Sequence, residues 1–207
     1  MQGGEENRRP IRARSSALAQ RAAARLVAAD ISPNQISVAS VFFAAAGTLC
    51  LLYVPAPFGP IFCAIGIQGR LICNLLDGMV AVEGGRKSAL GNLYNEFPDR
   101  VADSMLIVAL GYAADFPWLG WFGALAAALT AYVRVFGGSL GMTQDFRGPM
   151  AKQHRMAVMT IACLAGAVES QISQTNYALL AAAILILAGS LATCATRTLA
   201  IASGLRR

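Results

Sequence analysis

The feature that most limits this chain is a succession of windows, each about 18 to 20 residues long, that carry almost no charge; a helix needs that length to cross a hydrocarbon core of roughly 30 Å. Such windows run near 36–54, 58–80, 97–114, 117–137, 155–170 and 176–198. They predict an all-α polytopic membrane protein with about six transmembrane helices. A soluble bundle would need polar helix faces and longer connections than these windows leave. Composition agrees: 56% of residues are hydrophobic, only 14% are charged and mean hydropathy is +0.54, well outside the range of soluble domains.

Charge then orients the predicted bundle. With a cytoplasmic N-terminus, the outer connections YVPAPFGP, GYAADFP and AVESQISQTN hold Asp115 and Glu169 and no Lys or Arg. The basic residues outside the apolar windows all fall on the other side, which is the positive-inside pattern. An inner-membrane protein with both termini in the cytoplasm is expected. The net charge of +6 points to an anionic leaflet or anionic substrates, because Lys and Arg are spread over separate loops and tails without a nucleic-acid stripe. The five cysteines are odd in number, lie in the apolar windows and show no metal or disulfide spacing. Residues 1–31 read as a basic tail followed by an interfacial helix with Ser16 as its N-cap, and residues 32–207 as the membrane domain. No apolar signal-peptide core is expected within the first thirty residues. Ser32, Pro33 and Gln35 have capping-box spacing and start the first crossing.

Polar residues concentrate between Arg70 and Ser104. An ionised group at a helix centre in lipid costs roughly 2.5 to 3.5 kcal/mol on insertion scales, so such a group marks function. Arg70, Asn74 and Asp77 fall at i, i+4 and i+7, on one helical face. Asn95, Asp99 and Asp103 repeat at i, i+4 and i+8 on the next helix. Two such faces would offer carboxylate and amide oxygens, a hard-ligand set suited to Mg²⁺ or Mn²⁺. Arg70 lies roughly 10 Å deeper than Asp77 and needs a partner: an anion in a cavity between helices, or an acidic neighbour. Arg134, Arg155 and Arg197 come from three helices at one expected membrane level, an arrangement suited to a phosphate. Ordinary anchoring of helix ends at the interface is the alternative for each.

Asp77-Gly78, a downstream Arg and the Asp99/Asp103 pair resemble the CDP-alcohol phosphotransferase signature, a DGxxAR block followed after eight residues by GxxxDxxxD, with another Asp three before the first. The layout of six crossings and the ISPNQIS entry also resemble that family. This chain departs from the pattern at Asn74, where the family has Asp, and at Val82, where it has Arg. One register inserts four residues, so that Gly85-Arg86 stands for the Ala-Arg pair, Asn95 for the glycine, and Asp99 and Asp103 for the last two acids. The other has no insertion, keeps Gly91 as the glycine, and leaves Asn95 and Asp99 at the acidic positions. The insertion is preferred because it preserves Arg86 and three carboxylates; losing two of four would leave too little charge for two divalent ions.

The resemblance implies transfer of a substituted phosphoryl group from a CDP-linked lipid, such as CDP-diacylglycerol, to an alcohol, with release of CMP. It implies two ions, Mg²⁺ or Mn²⁺, on Asp77, Asp99 and Asp103, with Asn74 beside them. Asp99 and Asp103 would be catalytic, with Asp103 as the base. Gly78, Gly85, Arg86 and Asn74 would meet the CDP moiety, and Arg134, Arg155 and Arg197 a phosphate on an acceptor such as glycerol 3-phosphate or an inositol phosphate. Membrane lipids and a second copy of the chain are the further partners expected. Two other readings stay open: a small-solute transporter with buried charges along its path, and a catalytically lapsed paralogue acting as a subunit.

Overall fold

The computed structural model describes residues 16–83, 85 and 91–206. Seven helices make up its regular structure: α1 (Ala17–Ala28), α2 (Pro33–Tyr53), α3 (Phe58–Glu83), α4 (Gly91–Ala113), α5 (Pro117–Ser139), α6 (Lys152–Ile172) and α7 (Tyr177–Leu205). Strands are absent among the described residues.

Local chemistry sets the boundaries. The Ser16 hydroxyl accepts from the Ala19 N–H and caps α1. At the start of α2 the Ser32 hydroxyl accepts from the Gln35 N–H, and the Gln35 side chain accepts from the Ser32 N–H. This reciprocal pair satisfies two donors that a helix start would otherwise orphan. Pro33 and Pro117 occupy first-turn positions, where a missing N–H costs nothing. α4 begins at Gly91, so Pro98 lies inside the helix and removes one internal hydrogen bond directly before Asp99.

α2 to α7 close into a ring in which α2 packs on α3 and α4, α4 on α5, α5 on α7, α7 on α6, and α6 back on α3, while α1 packs on α3. Lipid offers no hydrophobic gain for helix association, so close approach at small residues must hold such a ring together. Two crossings show it. A Cβ on Gly66 would lie 2.7 Å from the Phe43 carbonyl oxygen and 2.9 Å from Gly47 Cα, and one on Gly111 would lie 2.4 Å from Gly120 N. The interior is filled by Leu106, Ile107, Leu110, Met156, Met159 and Ile186. Phe42, Ile65, Leu125, Ile161 and Leu185 remain on the outside. Tyr53, Tyr112, Trp118, Trp121 and Tyr177 lie exposed near the ends remote from the acidic stretch, as interfacial aromatics do.

Four helices, Pro33–Tyr53, Phe58–Val82, Pro117–Ser139 and Tyr177–Leu205, are long and apolar enough to cross a bilayer. The chain is an all-α integral membrane protein. Of the six windows read from sequence, the two in α4 and α6 differ: these helices are 23 and 21 residues long but carry the ionisable groups. Asp99, Asp103 and Arg155 are buried, so their charges face other helices. Among the described residues α3 and α4 have little direct backbone contact, and side chains bridge the gap between them.

Candidate active site

The bridge begins with Arg70, which is completely buried in α3. Its Nη2 donates to Asp103 Oδ1 at 2.6 Å, to Asp99 Oδ1 at 3.2 Å and to the Asp99 carbonyl at 3.3 Å. The acidic neighbour that the sequence offered as a partner for Arg70 is present. One turn along, Asn74 Nδ2 donates to the same Asp99 Oδ1 at 2.8 Å. α3 and α4 run antiparallel here, with Asn74 level with Asp99 and Arg70 level with Asp103.

The other carboxylate oxygens meet α6. Lys152 Nζ contacts Asp99 Oδ2, and Arg155 Nη2 donates to Asp103 Oδ2 at 2.9 Å. Arg155 also donates from Nη1 to the Met150 carbonyl at 2.8 Å. Asp103 thus has both oxygens in ion pairs inside the ring. Such pairs gain little net stability, but removing one partner strands the other charge. Asp77 stands apart: the Ser37 hydroxyl of α2 donates to its Oδ2 at 2.7 Å.

The three arginines expected at a phosphate are divided. Arg134 pairs with Glu96 Oε1 at 2.6 Å, donates to Gln144 Oε1 at 2.8 Å and lies over the Phe146 ring. Arg197 donates to the Arg147 carbonyl at 2.9 Å and to the Thr130 carbonyl at 2.6 Å. Both line a cavity of about 870 Å³, together with Arg147, Asp145, Gln144 and Ser203. Arg155 is 1% exposed and does not line it. In that loop the Arg147 guanidinium hydrogen-bonded to Asp145 holds its carboxyl below the usual carboxylate range.

Gly78 lies within α3, and Gly85 is exposed at φ 61°, a conformation that disfavours a side chain. Arg86 and the Asn95 side chain lie outside the described residues. Sequence reasoning assigned no role to Ser37, Glu96, Gln144 or Lys152. The i, i+3 spacing of Lys152 and Arg155 was the signal for Lys152, since both lie on one face of α6. Nothing local marks Ser37 as the partner of a residue forty positions away.

A divalent cation fits this site in chemistry: Asp77, Asp99 and Asn74 present hard oxygens, and the Lys152 ammonium on Asp99 stands where a cation is favoured. Asp99 and Asp103 both have their oxygens already engaged by cations, so a metal ion would have to displace one of these, whereas Asp77 meets the neutral Ser37 hydroxyl. Among the described residues no three His, Cys, Asp or Glu side chains are grouped closely enough to enclose a metal ion by themselves.

No family model matches the chain. It is 31% identical over 130 residues to archaetidylinositol phosphate synthase of Aeropyrum pernix, an alignment spanning 62% of this chain and 65% of that protein. The chain therefore matches a little under two thirds of its curated relative's length. Its fold is that of Mycobacterium tuberculosis phosphatidylinositol phosphate synthase. The crystal structure of that protein with CDP-DAG bound aligns at TM-score 0.70 and 18% identity, over 90% of this chain and 94% of the other. Its complex with manganese and citrate aligns at TM-score 0.69 and 18% identity, over 88% of each chain.

Proposed function

We infer that the chain belongs to the CDP-alcohol phosphotransferase family and transfers a substituted phosphoryl group from a CDP-linked lipid, such as CDP-diacylglycerol, to a phosphorylated alcohol, releasing CMP in phospholipid synthesis. One observation carries this reading: Asn74 on Asp99 brings the two ends of the signature face to face across the α3–α4 gap. The shared fold of a synthase solved with CDP-DAG supports it. Both relatives' names contain inositol phosphate, which favours that acceptor over glycerol 3-phosphate.

Asp77, Asp99 and the Asn74 amide oxygen would hold Mg²⁺ or Mn²⁺, and the resemblance implies two such ions. When bound, the metal neutralises the pyrophosphate and the departing CMP as a Lewis acid. Residues of the chain do the rest. Gly78 and Gly85 admit the nucleotide, and Arg86 is the phosphate partner that the resemblance implies. Arg134 and Arg197, from the wall of the 870 Å³ cavity, orient the acceptor phosphate. Arg155 turns from Asp103 Oδ2 toward that phosphate, and the freed Asp103 oxygen takes the acceptor hydroxyl proton. Asp99 keeps Asn74 and Arg70 aligned beside it.

In this reading α4 and α6 also cross the bilayer, which gives six crossings with both termini and the site on the cytoplasmic side of the inner membrane. α1 lies on the inner leaflet, residues 32–207 form the catalytic domain, and the chain works as a homodimer. The test is purified protein in detergent with Mg²⁺, CDP-diacylglycerol and a panel of alcohols. CMP release with phosphorylated alcohols is expected, and Asp99→Asn lowers it about 100-fold or more, as loss of a key electrostatic group does. Full turnover by Asp99→Asn would remove the assignment. The internal ion pairs of Asp99 and Asp103 favour one second reading, a catalytically lapsed paralogue acting as a subunit.

A further inference from the structure

We propose that Lys152 replaces one of the two divalent ions, so that the cleft accepts a single metal ion beside a built-in ammonium group. The inference rests on the enzyme reading above, but metal stoichiometry tests it independently of turnover. Its basis is the charge balance of the cleft. Three carboxylates, Asp77, Asp99 and Asp103, face four cations among the described residues, Arg70, Arg100, Lys152 and Arg155, which directly contact two of them. Asp99 has one oxygen on Arg70 and Asn74 and the other on Lys152, with Arg100 3.8 Å from that second oxygen. Asp103 has one on Arg70 and one on Arg155. Among the described residues, the carboxylate charge of the cluster is already matched by cations before any metal enters. Two divalent ions would place four positive charges in a buried, balanced site, where like charges are weakly screened.

Lys152 is held where it lies. It opens α6, and the chain before it is tied to α7: the Met150 N–H donates to Thr193 Oγ1 at 2.9 Å, and Arg197 holds the Arg147 carbonyl. Three residues on, Arg155 returns to the Met150 carbonyl. The first turn of α6 is therefore fixed on both sides, and its positive end adds to the lysine charge beside Asp99. Asp77 is the acid whose direct hydrogen-bond partner is a neutral hydroxyl, so one metal ion has an anchor there. The amide at Asn74 matches this balance: it stands where the signature has an Asp, whose added charge would call for a second ion.

The experiment counts Mn²⁺ ions bound per chain by the EPR signal of free Mn²⁺, on metal-stripped protein in detergent. Wild type is expected to saturate at about one ion per chain. Lys152→Met, which keeps an apolar stem and removes the charge, is expected to bind Mn²⁺ at least ten-fold more tightly. Combined with Asn74→Asp, it is expected to take up a second ion. Two ions on wild type, or none, overturn the proposal, and that measurement needs no variant to fold. A monodisperse Lys152→Met or Lys152→Gln protein with unchanged Mn²⁺ affinity overturns it as well. CMP release is followed on the same preparations. Turnover with two bound ions defeats the proposal and leaves the enzyme reading intact. One bound ion with no CMP release from any phosphorylated alcohol defeats the enzyme reading and leaves the charge substitution standing.

Discussion

At the scale of single residues, the buried charges behave as one unit. Arg70→Met removes a partner from Asp99 and Asp103 together, and stranding a buried charge costs about 3–5 kcal/mol. Denaturant unfolding in detergent is expected to show that loss. Asp103→Leu alone strands Arg70 and Arg155 and should cost a similar amount. The double variant should lose markedly less than the two single losses combined, with a coupling of about 1–3 kcal/mol. Strict additivity would mean that the two side chains do not depend on each other. The loop behaves differently. Asp145 has its folded-state pKa lowered by its hydrogen bond from Arg147. A lowered carboxyl pKa contributes stability above its unfolded value, and this is lost as pH falls through the folded one. Asp145→Asn is therefore expected to flatten the acid limb of the stability profile and to change nothing at neutral pH beyond the loss of the pair itself. An unaltered acid limb would show that the pair does not form in solution.

At the scale of helices, glycine contacts decide how closely axes approach. Gly111→Ala puts a methyl group 2.4 Å from the backbone nitrogen of Gly120, which cannot yield as a flexible side chain would. Overpacking of this kind costs about 1–3 kcal/mol. Thermal unfolding of Gly111→Ala should show it, while Gly138→Ala, whose nearest neighbour would be the Gln144 side chain at 3.7 Å, should be silent. Equal melting temperatures for the two would contradict the close crossing. The helices themselves were legible in sequence, because charge-free length and the Ser32–Gln35 box are local signals, and six windows correspond to α2–α7. The face shared by Arg70, Asn74 and Asp77 was legible from helical spacing alone. The partners across the gap were not: Ser37 on Asp77 and Lys152 on Asp99 join residues that no periodicity relates. The separate contacts of Arg134, Arg155 and Arg197 were equally hidden, since a common membrane level says nothing about which carbonyls and carboxylates lie closer.

At the scale of the whole molecule, the proposed topology makes a labelling prediction. In a cysteine-free background, Asp115→Cys and Thr175→Cys are expected to react with a membrane-impermeant maleimide from outside intact cells. Asp145→Cys and Arg206→Cys should react only after the membrane is opened. Outside labelling at Asp145 would mean that α6 or α4 does not cross. The polar seam between α3, α4 and α6 bears also on how the chain enters the bilayer. Neither α4 nor α6 would partition into lipid readily alone, because the acids of one and the bases of the other become tolerable only when they meet. A nascent chain that has released α4 but not α6 carries acids still awaiting Lys152 and Arg155. Biogenesis must therefore shelter the earlier helices until Lys152 and Arg155 emerge, and chains truncated between Gly141 and Ala151 should be held by insertion machinery or removed by membrane proteases.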